Sequence, residues 1–260
     1  GNPYILKRLS PWRNLPLADE ARVLRHLASQ GVVVADYLPA DDARLYAGTP
    51  DDAWVLMPRL PNDVFSPAEL AIPAIGVAIG EVIGRMHQAL ATYPWPANSY
   101  CDDLAGSLAG DLALPADIAR LVDAQRSAMI APLHGLPTQL VHGDMTPENL
   151  ILRWPVERSG FIDFDHLPVA PRIWDLGKYL SRRLRLRWRG GSVPAGEGRL
   201  DHLVGVLTGY KRVNPLSPAE IATVPTMILA GNVLEASYFR LVAEGRLSRR
   251  MLADHAEIQA

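Results

Sequence analysis

The pattern of apolar and polar positions changes character near residue 60. Before that point the apolar residues fall into short runs at 4–9, 32–35 and 54–57, and the first run alternates between two faces. Runs of this kind are typical of β-strands, while an apolar stripe with helical spacing covers 16–29. The pattern predicts three strands and one helix, and we expect the three strands to form one sheet.

After residue 60 the apolar positions repeat mainly with helical spacing. Ser66 followed by Pro67 is a start signal before a long apolar stripe over 71–90. Ser217 followed by Pro218 is a second start signal, before a stripe over 217–238. Further helices are predicted over 118–133, 200–211 and 247–258. The predicted fold class is α+β, with a small β-rich part over 1–60 and a larger, mainly helical part over 61–260.

Composition narrows the class of protein. Of the 260 residues 48% are hydrophobic, which is enough for a sizeable core, and the formal net charge is -2. This charge is not typical of proteins that bind nucleic acids or membranes, and we interpret the basic run over 178–189 as a solvated helix face. A single cysteine fits a reducing compartment, and no signal peptide or membrane span is indicated. We expect a cytoplasmic protein with no obligate protein partner.

The stretch with the clearest chemistry is LVHGDMTPEN at 140–149, which is followed by FIDFD at 161–165. Asp144, Asn149 and Asp163 lie on two short predicted strands and their connecting loop. An Asp and an Asn that a hairpin brings together can hold Mg²⁺, which prefers carboxylate and carbonyl oxygens. A second Asp that holds no metal can orient an attacking hydroxyl and take its proton. This combination indicates phosphoryl transfer.

These residues resemble the motifs of the aminoglycoside phosphotransferase and choline-kinase-like family. The matching elements are HGD at 142–144, Asn149, ID at 162–163 and WDL at 174–176. The resemblance implies a two-lobed, protein-kinase-like fold with a hinge over 57–62 and a catalytic segment over 140–176. It implies that Asp144 is the catalytic residue and that Asn149 and Asp163 bind Mg²⁺. It also implies that His142 and Asp175 support the catalytic loop.

Two departures from the protein-kinase pattern favour the branch that acts on small molecules. Gly143 stands where protein kinases have an arginine, and Asp165 stands where they have a glycine. We therefore expect a small hydroxylated acceptor.

Lys7 lies between apolar residues of the first predicted strand. It resembles the lysine that binds the α- and β-phosphates of the nucleotide in this family, although an ordinary edge-strand lysine is the alternative. The resemblance implies that Glu20, on the following helix, pairs with Lys7. Asp19 is a rival partner, and a role beside the helix N-terminus is the alternative for both acids.

The segment that begins at Met57 resembles the hinge that binds the adenine base, with the carbonyl of Pro58 and the amide of Leu60 as the expected contacts. The expected donor is ATP, with GTP as the alternative. Only six residues precede Lys7, so a glycine-rich hairpin over the phosphates is not in this sequence. We expect that hairpin to belong to an omitted N-terminal piece.

Four acids are candidates for contact with a cationic acceptor. Glu235 lies on an otherwise apolar helix, Asp102 and Asp103 lie in a predicted loop, and Asp165 follows the second motif. Alternatively, Glu235 is a surface acid on an amphipathic helix. Asp102 and Asp103 are then solvated loop acids. Asp165 is either a carboxylate that faces the metal or an ordinary loop carboxylate.

The function implied is transfer of the γ-phosphoryl group to a hydroxyl of an aminoglycoside-like or peptide antibiotic. A metabolic kinase of the homoserine or choline type is one alternative, and a nucleotide-binding pseudokinase is another. A two-metal phosphoesterase also remains open, because Gly143-Asp144 and the DFDH sequence at 163–166 superficially suit such a site.

Overall fold

The computed structural model describes residues 3–9, 15–49, 52–94, 101–185 and 197–244. The strands are β1 (Tyr4–Arg8), β2 (Val33–Val34), β3 (Ala47–Thr49), β4 (Asp52–Pro58), β5 (Thr138–Leu140), β6 (Leu150–Ile151), β7 (Gly160–Phe161) and β8 (Val169–Pro171). The helices are α1 (Leu17–Ser29), α2 (Pro67–Leu70), α3 (Pro73–Ala91), α4 (Cys101–Ala109), α5 (Ala116–Asp123), α6 (Arg126–Gly135), α7 (Ile173–Arg185), α8 (Glu197–Val213) and α9 (Pro218–Ala243).

The N-terminal sheet is antiparallel and has the strand order β1-β4-β3. Lys7 of β1 lies opposite Val55 of β4, which is fully buried. The sheet therefore places the lysine strand at an edge and leaves one face of β4 packed in the core.

The expectation that runs 4–9, 32–35 and 54–57 share one sheet was wrong. The third strand of the N-terminal sheet is β3, where no strand was predicted, and β2 instead pairs in parallel with β7 in a second sheet of order β2-β7-β6. Gly160 permits this pairing, because a Cβ there would lie 2.7 Å from the Val33 carbonyl oxygen.

Capping confirms two predicted helix starts. At α2 the Glu69 amide donates to Ser66 Oγ and the Ser66 amide donates to Glu69 Oε2. Ser217 and Glu220 form the same capping box at α9. The predicted helix over 118–133 was wrong in one respect, because α5 ends at Asp123 and α6 begins at Arg126. The predicted helix over 247–258 lies outside the described residues.

Helices α3 and α8 cross with their backbones in contact. A Cβ on Gly80 would lie 1.9 Å from the Val206 carbonyl oxygen, and one on Gly209 would lie 1.8 Å from that of Val77. Glycine in a helix interior costs about 1 kcal/mol relative to alanine, so the close crossing is what these two positions require. The crossing brings α3 and α8 together behind the 140–149 loop.

Helices α7 and α9 form the other main helix pair of the C-terminal part. In the part of the chain that the structure describes, no helix has both the length and the apolarity needed to cross a membrane.

Candidate active site

The 140–149 loop connects β5 with β6. The β6–β7 hairpin then brings the chain back, so that residue 163 follows the strand paired with β6. Leu150 pairs with Phe161, and the Ile162 amide donates to the Asn149 carbonyl at 3.1 Å. This pairing brings together the two motifs that the sequence separates.

Asp144 is held by side chains from both sides. Asn149 Nδ2 donates to the Asp144 carbonyl at 2.8 Å and to its Oδ2 at 3.2 Å. Lys178 Nζ, from α7, donates to Asp144 Oδ1 and lies 3.4 Å from the Gly143 carbonyl. Burial alone would raise the pKa of the Asp144 carboxyl, but the Lys178 ammonium holds it well below its usual range. The carboxylate is therefore ionised at ordinary pH.

His142 holds backbone groups of both motifs. Its Nε2 donates to the Ile162 carbonyl at 2.9 Å, which leaves Nδ1 to accept from the Asp144 amide at 3.3 Å. The ring is fully buried and packs 4.6 Å from the Phe164 ring. These are the contacts of a side chain that supports a loop.

Asp175, near the start of α7, binds the loop from below. Its Oδ2 accepts from the His142 amide at 2.8 Å and its Oδ1 from the Gly143 amide at 2.9 Å. The turn needs a glycine, because Gly143 has a φ of +84° and a Cβ there would lie 2.4 Å from Pro168 Cδ. One buried carboxylate thus fixes two consecutive amides just before Asp144.

A buried chain of hydrogen bonds continues behind Asp175. His87 Nε2 donates to Asp175 Oδ2 at 3.0 Å, and the Tyr210 hydroxyl donates to His87 Nδ1 at 2.8 Å. Asn214 Nδ2 donates to the same hydroxyl oxygen at 3.2 Å. The sequence pattern gave no sign of the bond between His87 and Asp175, which lie far apart in the chain.

Lys7 lies across the cleft from the loop. Its Nζ is 2.6 Å from Asp163 Oδ1 and 3.0 Å from Asp165 Oδ1. Burial would lower the pKa of Lys7, but the charges of the two carboxylates raise it above its ordinary value. The lysine strand and the second motif therefore meet, through a contact that the sequence did not predict.

The expected ion pair between Lys7 and Glu20 is not formed in this structure. Glu20 is 1% exposed and accepts a hydrogen bond from the Tyr37 hydroxyl. Asp19, the rival partner, pairs with Arg22 one turn further along α1. The physical reason is that Lys7 meets two carboxylates near the end of β7, whereas Glu20 faces the segment that follows β2.

The oxygens beside Asp144 fit a divalent cation. Asn149 directs its Nδ2 to Asp144, and its Oδ1 has no donor among the described residues. Asp163 has a left-handed backbone, with a φ of +67°, and it binds Lys7 through only one carboxylate oxygen. Mg²⁺ takes amide and carboxylate oxygens and completes its shell with water and phosphate, so the donor set is suitable.

The hinge residues lie at the end of β4. Pro58 is the last residue of β4 and lies opposite Tyr4, while Met57 is 8% exposed. The Arg59 amide donates to the Pro3 carbonyl at 3.0 Å, and Leu60 follows. Adenine contacts at Met57, Pro58 and Leu60 stay predictions.

The basic run of α7 corrects one interpretation, because Lys178, Arg182 and Arg183 turn inward. Lys178 contacts Asp144, and Arg182, four residues on, donates to Glu148 Oε1 at 3.2 Å and to Glu235 Oε1. Residues four apart share a helix face, so this face of α7 lies against the catalytic loop. Sequence reasoning treated the run as solvated because composition alone does not reveal which face is covered.

The four acids predicted to contact the acceptor have different surroundings. Glu235 is ion-paired with Arg182, and Asp165 with Lys7. Asp102 and Asp103 lie in the first turn of α4, in a helix and not in the predicted loop. The Asp102 side chain is 85% exposed and lies 3.8 Å from His134 of α6.

A cavity of about 280 Å³ opens beside the catalytic loop, between the segment after β4 and helix α7. The residues that line the cavity include Asn62, Asp63, Phe65, Pro147, Glu148 and Arg183. Sequence reasoning did not identify this cavity, because the residues that line it come from three distant segments.

Comparison with known proteins agrees with this geometry. The model of the phosphotransferase enzyme family matches residues 1–216. An uncharacterized protein of Deinococcus radiodurans is 26% identical over 228 residues, which are 81% of this chain and 63% of that relative. The chain thus spans less than two thirds of the length of that protein.

Solved structures share the fold. An amicoumacin kinase, solved with AMP-PNP, Ca²⁺ and the antibiotic, is 23% identical with a TM-score of 0.73, covering 99% of this chain and 80% of its own. A microcompartment-associated aminopropanol kinase is 17% identical with a TM-score of 0.68, covering 91% and 77%. A choline/ethanolamine kinase family protein of Mesorhizobium loti is 20% identical with a TM-score of 0.63, covering 100% and 82%.

These similarities confirm the predicted protein-kinase-like fold and the predicted relationship. The family match covers the lysine strand, the catalytic loop and α7, which together contain the contacts described above. The chain belongs to the phosphotransferase enzyme family.

Proposed function

We propose that this chain transfers the γ-phosphoryl group of ATP to a hydroxyl of a small molecule, with Asp144 as the catalytic residue. The observation that carries the proposal is the setting of Asp144. Its carboxylate lies between Asn149 and Lys178, on the loop that the β6–β7 hairpin joins to Asp163. An ionised carboxylate beside oxygen ligands for a cation, facing a phosphate-binding lysine, is the arrangement that phosphoryl transfer requires.

In the proposed reaction Asp144 orients the acceptor hydroxyl toward the γ-phosphorus. The oxygen–phosphorus bond forms as the bond from the γ-phosphorus to the β,γ-bridging oxygen breaks, and ADP leaves with that oxygen's electron pair. The hydroxyl proton passes to Asp144 late in the step, since a carboxylate with a strongly lowered pKa is a weak base. Positioning and electrostatic stabilisation supply most of the rate.

The phosphates are bound by residues of both parts of the chain. Lys7 exchanges Asp163 and Asp165 for phosphate oxygens of the nucleotide, and the backbone of Pro58 and Leu60 binds the adenine. Asn149 and Asp163 would hold Mg²⁺, which offsets the phosphate charge when it is bound. Asp175, His142 and His87 keep the loop in place and do not contact the reacting atoms.

The proposed acceptor is an amino alcohol or an antibiotic that carries such a group. Two structural relatives act, by their names, on aminopropanol and on choline or ethanolamine, and a third acts on amicoumacin. The cavity beside the loop is lined by the carboxylates of Asp63 and Glu148, which pair with Arg153 and Arg182, and a cationic group of the acceptor would share these carboxylates with the arginines. Kinases of metabolic amino alcohols and antibiotic kinases remain the two branches of this proposal.

The test is release of ADP from ATP, and then of GDP from GTP, with Mg²⁺ and a panel of aminoglycosides, hydroxylated peptide antibiotics, choline, ethanolamine and homoserine. Asp144→Asn removes the charge without changing the size, and we expect turnover to fall about hundredfold or more. Asp117→Asn, at an exposed position of α5, is the matched control and should leave turnover unchanged.

Each outcome has a meaning. Turnover that is lost only in Asp144→Asn supports the proposal and names the acceptor. Nucleotide binding without turnover of any acceptor would favour the pseudokinase, and release of phosphate from a simple phosphate ester without nucleotide would favour the phosphoesterase. Turnover that survives Asp144→Asn would overturn the assignment of Asp144.

A further inference from the structure

Lys178 is the cation that contacts the catalytic carboxylate directly. Its Nζ donates to Asp144 Oδ1 and lies 3.4 Å from the carbonyl oxygen of Gly143. Both side chains are 22% exposed, so the pair sits at the wall of the cleft and not in the core. No motif of the sequence assigns a role to this residue.

The use of lysine in this chain is selective. Only three of the 26 basic residues are lysines, namely Lys7, Lys178 and Lys211, and the other 23 are arginines. Lys7 and Lys178 both contact carboxylates of the site, while Lys211 is exposed on α8. Lysine differs from arginine in being a compact charge on a flexible stem, which can move between a carboxylate and a phosphate.

The neighbouring ion pair of α7 shows the contrast. Arg182, one turn after Lys178, bridges Glu148 of the catalytic loop and Glu235 of α9. That planar group joins two carboxylates at fixed positions, as a structural pair does. A structural requirement alone would be met by arginine at 178 as well, in a chain that uses arginine almost everywhere else.

The position of Lys178 relative to the reacting atoms follows from its contact with Asp144. The acceptor hydroxyl must lie within hydrogen-bond reach of Asp144 and about 3–3.5 Å from the phosphorus it attacks. Since the ammonium is bonded to the same carboxylate, it lies close to the place where the acceptor hydroxyl and that phosphorus must meet. Movement of the four-carbon stem brings it to the phosphoryl oxygens.

We propose that Lys178 is a catalytic residue that transfers its ammonium contact from Asp144 to the γ-phosphoryl group as that group moves to the acceptor. Bound to Asp144, it holds the carboxylate in the orientation that receives the hydroxyl. Bound to the phosphoryl oxygens, it offsets the charge that develops during transfer. The proposal rests on the proposed kinase function.

The test separates charge from shape by chemical rescue. The variants are Lys178→Met, Lys178→Arg and Lys178→Cys, with Lys211→Met as the matched control. Treating Lys178→Cys with 2-bromoethylamine forms a carbon–sulfur bond with loss of bromide and the thiol proton, which rebuilds a lysine-like side chain. Cys101 is 3% exposed, so wild-type protein treated in the same way controls for its modification.

We expect Lys178→Met to lower kcat about hundredfold, with the KM for ATP changed by less than about threefold, because the contact strengthens in the transition state. Lys178→Arg should retain an intermediate kcat. Alkylation of Lys178→Cys should restore at least about a tenth of the wild-type kcat. Lys211→Met should match wild type in both parameters.

The proposal is overturned if Lys178→Met keeps kcat within about threefold of wild type, or if alkylated Lys178→Cys stays inactive although its thermal unfolding matches wild type. A rise in the KM for ATP with unchanged kcat would also overturn it, since that result describes ground-state binding. Inactivity of the wild-type protein itself, towards every acceptor and towards water, would instead refute the kinase function on which the proposal rests.

Discussion

His87 Nε2 lies 3.0 Å from Asp175 Oδ2, and both side chains are fully buried. Burial alone would raise the pKa of Asp175, but hydrogen bonds from His87 and from the loop amides hold it below its usual value. The imidazole therefore helps to keep a buried charge at the base of the catalytic loop.

Replacing His87 with leucine should destabilise the protein and lower its kcat. The change leaves the Asp175 charge with one fewer donor and the Tyr210 hydroxyl without its acceptor. We expect the free energy of unfolding to fall by about 2–4 kcal/mol. Denaturant unfolding measures this loss, and kcat should fall with it because the loop is less well fixed.

The control is His134→Leu, since that ring is about half exposed on α6. It should change the free energy of unfolding by less than about 0.5 kcal/mol. Equal effects of the two variants would contradict a special role for the His87–Asp175 bond.

The crossing of α3 and α8 should not accept a methyl group. Gly80→Ala would place a Cβ 1.9 Å from a backbone oxygen of Val206, so the helices must separate. We expect a loss of about 1–3 kcal/mol in the free energy of unfolding, from strain and lost packing. Thermal unfolding followed by circular dichroism is a suitable measurement.

Gly106→Ala is the matched control, because the space around that position of α4 is open. Alanine is the better helix former there, so this variant should gain about 0.5–1 kcal/mol. A gain of stability in both variants would contradict the prediction, because it would mean that helix propensity outweighs any strain at the crossing.

His202 predicts a stability that depends on pH. Burial, with a smaller effect from the nearby Arg183 charge, lowers the pKa of His202 to about 4, and its Nε2 has no hydrogen-bond partner among the described residues. The unfolded state, with an ordinary histidine pKa of about 6.5, binds the proton first as the pH falls. As the pH falls from about 6.5 to 4, this histidine therefore lowers the free energy of unfolding by at most roughly 3 kcal/mol.

The measurement is denaturant unfolding of wild type and His202→Asn across this pH range. Asparagine keeps a donor for the Leu70 carbonyl, which His202 Nδ1 contacts at 2.7 Å, but it does not titrate. The difference between the two proteins should shrink or reverse as the pH falls. A difference that is constant from pH 7 to 4 would show that the histidine does not titrate as described.

Loss of the Lys7 ammonium should weaken nucleotide binding. Lys7→Met removes the charge that Asp163 and Asp165 hold at the cleft. We expect the Kd for a non-hydrolysable ATP analogue to rise about tenfold or more, measured by calorimetry with Mg²⁺.

Arg8→Met changes the next residue of β1, where the side chain pairs with the exposed Asp52, and it should bind the analogue like wild type. If both variants bound as wild type does, Lys7 would be an ordinary edge-strand lysine.

The sequence was most informative where the chemistry is local. Asp144 and Asn149 precede β6 and Asp163 follows β7, so local spacing was enough to predict the hairpin that joins the two motifs. Capping at Ser66 and Ser217 was also readable, since a cap and its helix are neighbours in the chain.

Long-range contacts were not readable. His87 and Asp175 are separated by 88 positions, and periodicity records only that each residue is buried. The Lys178–Asp144 pair could not be predicted either, because a basic run does not reveal which of its side chains face inward. The run 32–35 predicted a strand, but two valines in an extended segment carry no information about their partner strand.

That unexpected pairing has a consequence for how the cleft can open. β2 joins β7 two residues before Asp163, and the Val32 amide ties the same segment to the last turn of α1. Helix α1 also packs against α3, so the stretch from 17 to 34 is anchored in the larger part of the molecule. A swing of the N-terminal sheet would then carry Lys7 away while α1 and Asp163 stay together. The distance between Lys7 and Asp163 would report such a swing.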